Sequence, residues 1–168
     1  IVQSLVGSEM CIRDSPWMGT GHMFDISVMR PVFSTAKGTL LGYTMSITHL
    51  PDVGGIGFGA AASEIYHEGL RLPIVKLAES GVINEFLLDL IAVNVRTPES
   101  TIGDLRANIA CNEVGGRQLV EFLNEYAIDD LSALSNAIRN QSELAMREKI
   151  KDIRNGTYNN SIFIEAID

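Results

Sequence analysis

The chain has 168 residues, of which 46% are hydrophobic, and it carries a formal net charge of -8 at pH 7. This length and hydrophobic content suit one domain with its own core and argue against extensive disorder. The acidic charge and the lack of a lysine/arginine cluster argue against a nucleic-acid partner, and the apolar runs are too short to cross a membrane.

The opening sequence IVQSLVGSEMCIRDS shows neither a structural period nor the shape of a signal peptide. It resembles the translation of a sequencing-library adapter, so we expect residues 1–15 to be non-native and the native chain to begin near Pro16. A natural strand followed by a turn is the alternative. The two cysteines, Cys11 and Cys111, are far apart in the sequence, which favours a cytoplasmic protein over a disulfide-stabilised one.

Two apolar, β-branched segments follow, residues 23–33 and 39–50, with turn-forming residues 36–38 between them. They predict an antiparallel β-hairpin, in which the start of the first strand lies beside the end of the second. His22 and His49 flank these two ends, so we expect the hairpin to bring them close together.

The spacing His-x-x-Asp occurs twice, as His22 with Asp25 and as His49 with Asp52, each time near glycine or proline. Imidazole and carboxylate groups are good ligands for Zn, Mn or Fe. Two side chains three residues apart on a regular strand face opposite ways, but a turn at the strand end lets them converge. The pattern predicts a divalent metal site formed by these four residues. The alternative is that the aspartates only shape turns and the histidines only form hydrogen bonds.

A glycine-rich segment begins at Asp52. Its GGIGFG, at residues 54–59, lacks the Lys-Ser/Thr of a phosphate-binding P-loop, which favours a flexible or tightly packed turn. The following SEIYHEGLRLP, residues 63–73, concentrates charged side chains, and we predict a catalytic or substrate-binding role for Glu68 and Arg71. The alternative is a solvated surface with a Glu-Arg pair.

Residues 83–95 have helical spacing, and one predicted apolar face includes Phe86, Leu87, Leu90 and Ile91. Pro98 suits the first turn of a second helix. Asp104 favours the start of that helix, with Arg96 as its expected ion-pair partner.

The helical pattern continues through residues 101–127, where Gly115-Gly116 predicts either a break or a close helix contact. Residues 129–153 form a third, amphipathic helical pattern, and residues 157–167 are typical of a strand. We therefore predict an α+β fold with an N-terminal β-hairpin or sheet followed by a helical block.

Three stretches together resemble the hydantoinase B/oxoprolinase family: PWMGTGHMFDISVMRPVF, THLPDVGGIGFGAAASEIYHEGLRLPIVKL and NVRTPESTIGDLRANIACNEVGGRQL. The family includes the B subunit of N-methylhydantoinase, the corresponding part of 5-oxoprolinase, and a large subunit of acetone carboxylase. Its members are several times longer. The resemblance therefore implies that residues 16–168 are a partial domain, a fragment of a larger mixed α/β subunit, and that the isolated fragment is inactive.

The resemblance further implies ATP-dependent hydrolysis of a small cyclic amide, or chemistry on a carbonyl substrate. A separate A-type subunit or domain would bind ATP and phosphorylate the substrate, and the B-type subunit would act on the activated substrate at a site that contains Zn, Mn or Fe. The alternatives are an acetone carboxylase-type subunit, or a non-catalytic scaffold for the A-type subunit.

By position, His22 and Asp25 match the first histidine-aspartate motif of the family, and His49 and Asp52 match the second. The aspartate that usually precedes the family's proline falls at Ser15. This difference lies where the suspected adapter ends, so any native ligand at that position would be missing from this chain.

Overall fold

The computed structural model describes residues 10–13, 21–34, 38–57, 59, 61–129 and 131–163. Within these residues the fold is α+β, as the sequence predicted. The elements in chain order are β1 (Met10–Arg13), β2 (Asp25–Phe33), β3 (Leu40–His49), a 3₁₀ turn (Ile65–His67), β4 (Val75–Glu79), β5 (Val82–Ile83), α1 (Glu85–Ala92), α2 (Pro98–Glu125) and α3 (Ser132–Lys151).

The described strands form one antiparallel sheet in the order β3-β2-β1-β4-β5. Strands β2 and β3 pair from Asp25 opposite His49 to Phe33 opposite Leu40, with one register shift next to Phe33. The predicted hairpin is therefore confirmed. Its open end carries the candidate metal ligands.

Helix α2 lies against one face of this hairpin. On that face Val28 is fully buried, because β-branched side chains pack well on a half-buried strand. The helix adds a polar seam: the Asn112 amide donates to the Ser46 hydroxyl (2.8 Å), and the Asn108 amide donates to the Thr48 hydroxyl (2.8 Å). These bonds satisfy polar groups that burial would otherwise leave unpaired, and they fix the strand that ends at His49.

Helix α1 begins at a cap in which the Asn84 side chain accepts a hydrogen bond from the backbone N–H of Leu87 (3.1 Å). Its buried side chains are Leu87, Leu88 and Ile91. The apolar face predicted from the sequence is partly wrong, because Phe86 is 78% exposed and Leu90 is 41% exposed. The cap orients the helix so that Leu88 takes the inward position.

Helix α2 runs without a break through Gly115-Gly116, which decides between the two interpretations of that pair in favour of a close contact. A Cβ on Gly115 would lie 3.2 Å from Thr44 Cγ2, and one on Gly116 would overlap the Arg30 guanidinium and lie 3.3 Å from Val32 Cγ2. The two glycines therefore let the helix approach the hairpin closely.

The chain divides into two compact units, residues 1–129 and residues 130–168. Helix α3, in the second unit, has no buried residue. The strand predicted for residues 157–167 is absent from the described part, residues 157–163, whose side chains are all exposed. Residues 164–167 lie outside the described residues. No helix in the described part of the chain is long and apolar enough to span a bilayer.

Candidate metal centre

The hairpin register places His49, the last residue of β3, opposite Asp25, the first residue of β2. Nε2 of His49 lies 2.9 Å from Asp25 Oδ1, and Nε2 of His22 lies 3.8 Å from Asp25 Oδ2. The two imidazole centroids are 4.9 Å apart. One ligand atom from each of the three residues lies within 4.8 Å of the other two. The structure thus brings together three of the four predicted ligands, which we call the His22–Asp25–His49 cluster.

The backbone around the cluster is held from both sides. The N–H of Met23 donates to Glu68 Oε2 (2.7 Å), and the Met23 side chain is fully buried. The carbonyl of Phe24 accepts a hydrogen bond from the N–H of Leu50 (3.0 Å). The turn before β2 and the end of β3, which carry the two histidines, are therefore joined directly.

The chemistry of the cluster fits a divalent cation. Two imidazoles and one carboxylate are a donor set for Zn, Mn or Fe. Tetrahedral bonds of about 2.1 Å place ligand atoms about 3.4 Å apart, so side-chain rotations that move these atoms, now within 4.8 Å of one another, by about 1 Å would let all three reach one ion. The side chains are 35%, 18% and 58% exposed for His22, Asp25 and His49. This exposure leaves one side open for water or substrate.

Asp52 lies outside the cluster and is bound elsewhere. Its Oδ1 accepts hydrogen bonds from the N–H of Gly54 (2.9 Å) and from the guanidinium of Arg96 (2.9 Å), and its Oδ2 accepts one from the N–H of Arg96. Both carboxylate oxygens therefore have partners within the first unit. Arg96, expected to pair with Asp104, instead forms its ion pair with Asp52.

The Asp52 carboxyl is buried, with its side chain 7% exposed. Burial acts to raise its pKa, but the backbone hydrogen bonds from Arg96 and Gly54 and the Arg96 charge outweigh burial, so the pKa is lowered below its usual value. Asp52 is thus held as a carboxylate. No spacing in the sequence indicates this pair, because the two residues are 44 positions apart and meet only through the tertiary fold.

The two residues predicted for catalysis take different positions. Glu68 lies beside the cluster, with one carboxylate oxygen on the N–H of Met23. Arg71 is exposed. The third histidine, His67, lies 3.2 Å from Glu64, and both side chains are about half exposed (45% and 59%). It is not one of the clustered residues.

The glycine-rich loop is a tightly packed turn where it leaves Asp52. Gly54 and Gly55 have φ values of +85° and +58°, which favour glycine. A Cβ on Gly54 would lie 2.7 Å from the carbonyl oxygen of Asn94, and one on Gly55 would overlap the carbonyl of His67. Packing against two neighbouring segments therefore accounts for these glycines. Residues 58 and 60 of the loop lie outside the described residues.

The family model described as Hydantoinase B/oxoprolinase matches residues 3–168. The beta subunit of caprolactamase from Pseudomonas jessenii is 35% identical over 162 residues, which cover 95% of this chain and 27% of that protein. The B subunit of a putative D-/L-hydantoinase from Pseudomonas sp. (strain NS671) is 30% identical over 162 residues, covering 94% of this chain and 27% of that protein. The chain thus spans about a quarter of the length of these relatives.

Two solved structures share the fold. The crystal structure of ATP-dependent caprolactamase from Pseudomonas jessenii superimposes with a TM-score of 0.83 at 32% identity, covering 98% of this chain and 28% of that chain. The nucleotide-free structure of acetone carboxylase gives a TM-score of 0.66 at 22% identity over 77% of this chain and 17% of that chain. The second similarity concerns the fold alone.

Proposed function

Because the chain belongs to the hydantoinase B/oxoprolinase family, we propose that it is part of a metal-containing B-type subunit of an ATP-dependent cyclic amide hydrolase. The observation that carries this proposal is the convergence of His22, Asp25 and His49 at the open end of the hairpin. The relatives named as hydantoinase and caprolactamase support the general class of cyclic amide hydrolysis.

In this proposal His22, Asp25 and His49 hold a divalent cation, Zn, Mn or Fe. Such a cation, when bound, would supply Lewis-acid chemistry by polarising a carbonyl oxygen or lowering the pKa of a water molecule. Nε2 of both imidazoles faces the Asp25 carboxylate. Glu68 holds the turn that carries His22 through the N–H of Met23. The His49 side chain is 58% exposed, so a substrate can reach the cluster from that side.

A plain amide is a poor electrophile, so the proposal includes activation of the substrate by ATP on a separate A-type subunit or domain. Two relatives are named as subunits, one of a hydantoinase and one of a caprolactamase, and a solved relative is described as ATP-dependent. These names support a partner that uses ATP. Because the chain spans about a quarter of its relatives, the activity belongs in this proposal to the whole subunit.

The amide-hydrolase branch is favoured over the acetone carboxylase branch by the comparison of structures. The caprolactamase match has both the higher identity, 32% against 22%, and the higher TM-score, 0.83 against 0.66. Residue types at the cluster do not separate the two branches, because the same donors suit either chemistry.

The test uses the full-length subunit together with its A-type partner, and caprolactam, hydantoin and 5-oxoproline as substrates. Chromatography of the ring-opened product measures ATP-dependent ring opening before and after a chelator has removed metal from the isolated B-type subunit, and every assay contains Mg²⁺ for ATP. The proposal expects activity to disappear on chelation and to return with Zn²⁺, Mn²⁺ or Fe²⁺. Full activity in protein that elemental analysis shows to be metal-free would instead support the scaffold alternative.

A further inference from the structure

The two His-x-x-Asp units differ in what their aspartates contact. Asp25 lies between two imidazoles, whereas Asp52 points to the connection between α1 and α2 and meets Arg96. The second aspartate therefore has a different role from the first, and the hydrogen bonds around it define that role.

Arg96 ties the start of the glycine-rich loop to the α1–α2 connection. Its backbone N–H and its guanidinium both donate to the Asp52 carboxylate, and the guanidinium also donates to the carbonyls of Gly54 (3.3 Å) and Gly55. The hydroxyl of Thr101, on α2, donates to the Asp52 carbonyl (3.3 Å). One planar guanidinium thus spans a carboxylate and two carbonyls, and charge-assisted bonds from such a fork fix geometry as well as contribute energy.

One route leads from this anchor to His49 along the chain. Only Leu50 and Pro51 separate Asp52 from His49, and Leu50 is 2% exposed. The proline ring restricts φ to a narrow range, so little rotation is available between the anchored carboxylate and the imidazole. Fixing Asp52 therefore limits the positions that His49 can take.

A second route leads to His22 through space. The loop is bonded to the 3₁₀ turn and its flank, because the N–H of Ile56 donates to the His67 carbonyl (2.9 Å) and the N–H of Leu70 donates to the Val53 carbonyl (2.7 Å). Glu68, which ends that turn, accepts the hydrogen bond from Met23 (2.7 Å), the residue next to His22. The same loop thus supports both histidine-bearing segments.

We infer that Arg96, acting through Asp52, is a positioning residue for the His22–Asp25–His49 cluster. It does not touch the cluster itself. It fixes the loop that begins at Asp52. That loop connects to His49 along the chain and to the turn of His22 through Glu68. The inference rests on the proposed function, because the property that depends on this positioning is the affinity of the cluster for a divalent cation.

The test uses the full-length subunit and the variant Arg96→Ala. Zn²⁺ and Mn²⁺ are titrated separately into metal-free protein, and backbone hydrogen exchange at Met23 is measured in the same preparations. Residues that orient metal ligands typically change affinity 10- to 100-fold, so we expect a loss of about tenfold or more together with faster exchange at Met23. Arg106→Ala is the matched control, because Arg106 of α2 forms an exposed ion pair with Glu85 of α1 (2.9 Å).

Wild-type cation affinity, or unchanged exchange at Met23, in a folded Arg96→Ala protein would overturn the inference, even if its melting temperature fell. Arg96→Lys provides a second variant if Arg96→Ala does not fold. Lysine keeps the charge but lacks the planar fork, so we expect a smaller loss of affinity in the same direction, and wild-type affinity there would count against the inference. If the wild-type protein binds neither ion, the proposed function fails, and exchange at Met23 alone then decides whether Arg96 supports the turn.

Discussion

Asp25 and Asp52 stand at the same position of two identical His-x-x-Asp spacings, yet Asp25 contacts two imidazoles and Asp52 contacts an arginine. The difference arises where the chain leaves the sheet. Asp25 is the first residue of β2, whereas Asp52 lies beyond the end of β3 and is buried against the α1–α2 connection. Equal spacing thus produces one candidate ligand and one anchor.

Replacing Asp52 with asparagine should destabilise the protein at neutral pH by about 1–2 kcal/mol, because asparagine lacks the charge and has one acceptor oxygen in place of two. The loss stays this small because the Arg96 side chain is 60% exposed and water screens its charge. The folded pKa of Asp52 is lowered. Its stabilising contribution is therefore complete above the unfolded pKa, about 3.9, and is lost as pH falls through the folded pKa.

Urea denaturation of the wild type and Asp52→Asn across pH 2–7 checks this expectation. The difference in free energy of unfolding should be full above about pH 5 and should shrink below about pH 4. Asp104→Asn, at an exposed position of α2, is the control and should change stability little. A difference that grows on acidification would contradict the assigned role of Asp52.

Asn112 should be among the most sensitive positions of α2. It is 1% exposed, and its amide donates to Ser46, to the carbonyl of Val28 (3.2 Å) and to the carbonyl of Asn108 (3.0 Å). Asn112→Ala removes these bonds inside the core, so the free energy of unfolding should fall by about 1–3 kcal/mol. Chemical denaturation measures the loss, with Gln118→Ala on the exposed side of the helix as the control. Equal stability of the two variants would show that the polar seam contributes little.

The glycines of α2 should respond differently to alanine. Gly103 has open space around its Cβ position, so Gly103→Ala should raise the free energy of unfolding by about 0.5–1 kcal/mol. At Gly116 the added methyl meets Arg30 and Val32, and it disturbs the ion pair of Arg30 with Glu113 (3.3 Å). Gly116→Ala should therefore give a smaller gain or a loss. Thermal melts of both variants measure this difference. An equal gain in melting temperature at both sites would argue against close packing at Gly116.

The prediction that residues 1–15 derive from a sequencing adapter is tested at the DNA level. Two observations agree with the alternative, a natural strand. Strand β1 lies within this segment with Ile12 fully buried, and the family match begins at residue 3. If the prediction holds, the source DNA sequenced across the junction encodes other residues in place of 1–15 and the same residues from Pro16 onward. An uninterrupted native reading frame through these residues would refute the prediction.

Patterns local to the chain predicted much of this structure. The β-branched segments on either side of residues 36–38 predicted the hairpin, the hairpin predicted that His22 and His49 meet, and three dispersed stretches identified the family that the family model confirms. The pairing of Arg96 with Asp52 could not be predicted in this way, because it joins residues 44 positions apart through the packing of the α1–α2 connection.

Two further differences have the same physical origin. The outward position of Phe86 follows from the Asn84 cap and from the contact that Leu88 makes with the core, neither of which helical spacing specifies. Residues 157–163 have the composition of a strand but are exposed and unpaired with any strand among the described residues. A strand needs a partner for its backbone groups, and the sequence pattern does not supply one.

The metal content of the full-length subunit shows whether His22, Asp25 and His49 bind one divalent cation. Elemental analysis should find one ion per subunit in the wild type and in His67→Ala, whose imidazole lies outside the cluster, and far less than one in His22→Ala and His49→Ala. Undiminished metal stoichiometry in both of these last variants would show that the cluster is not the metal site.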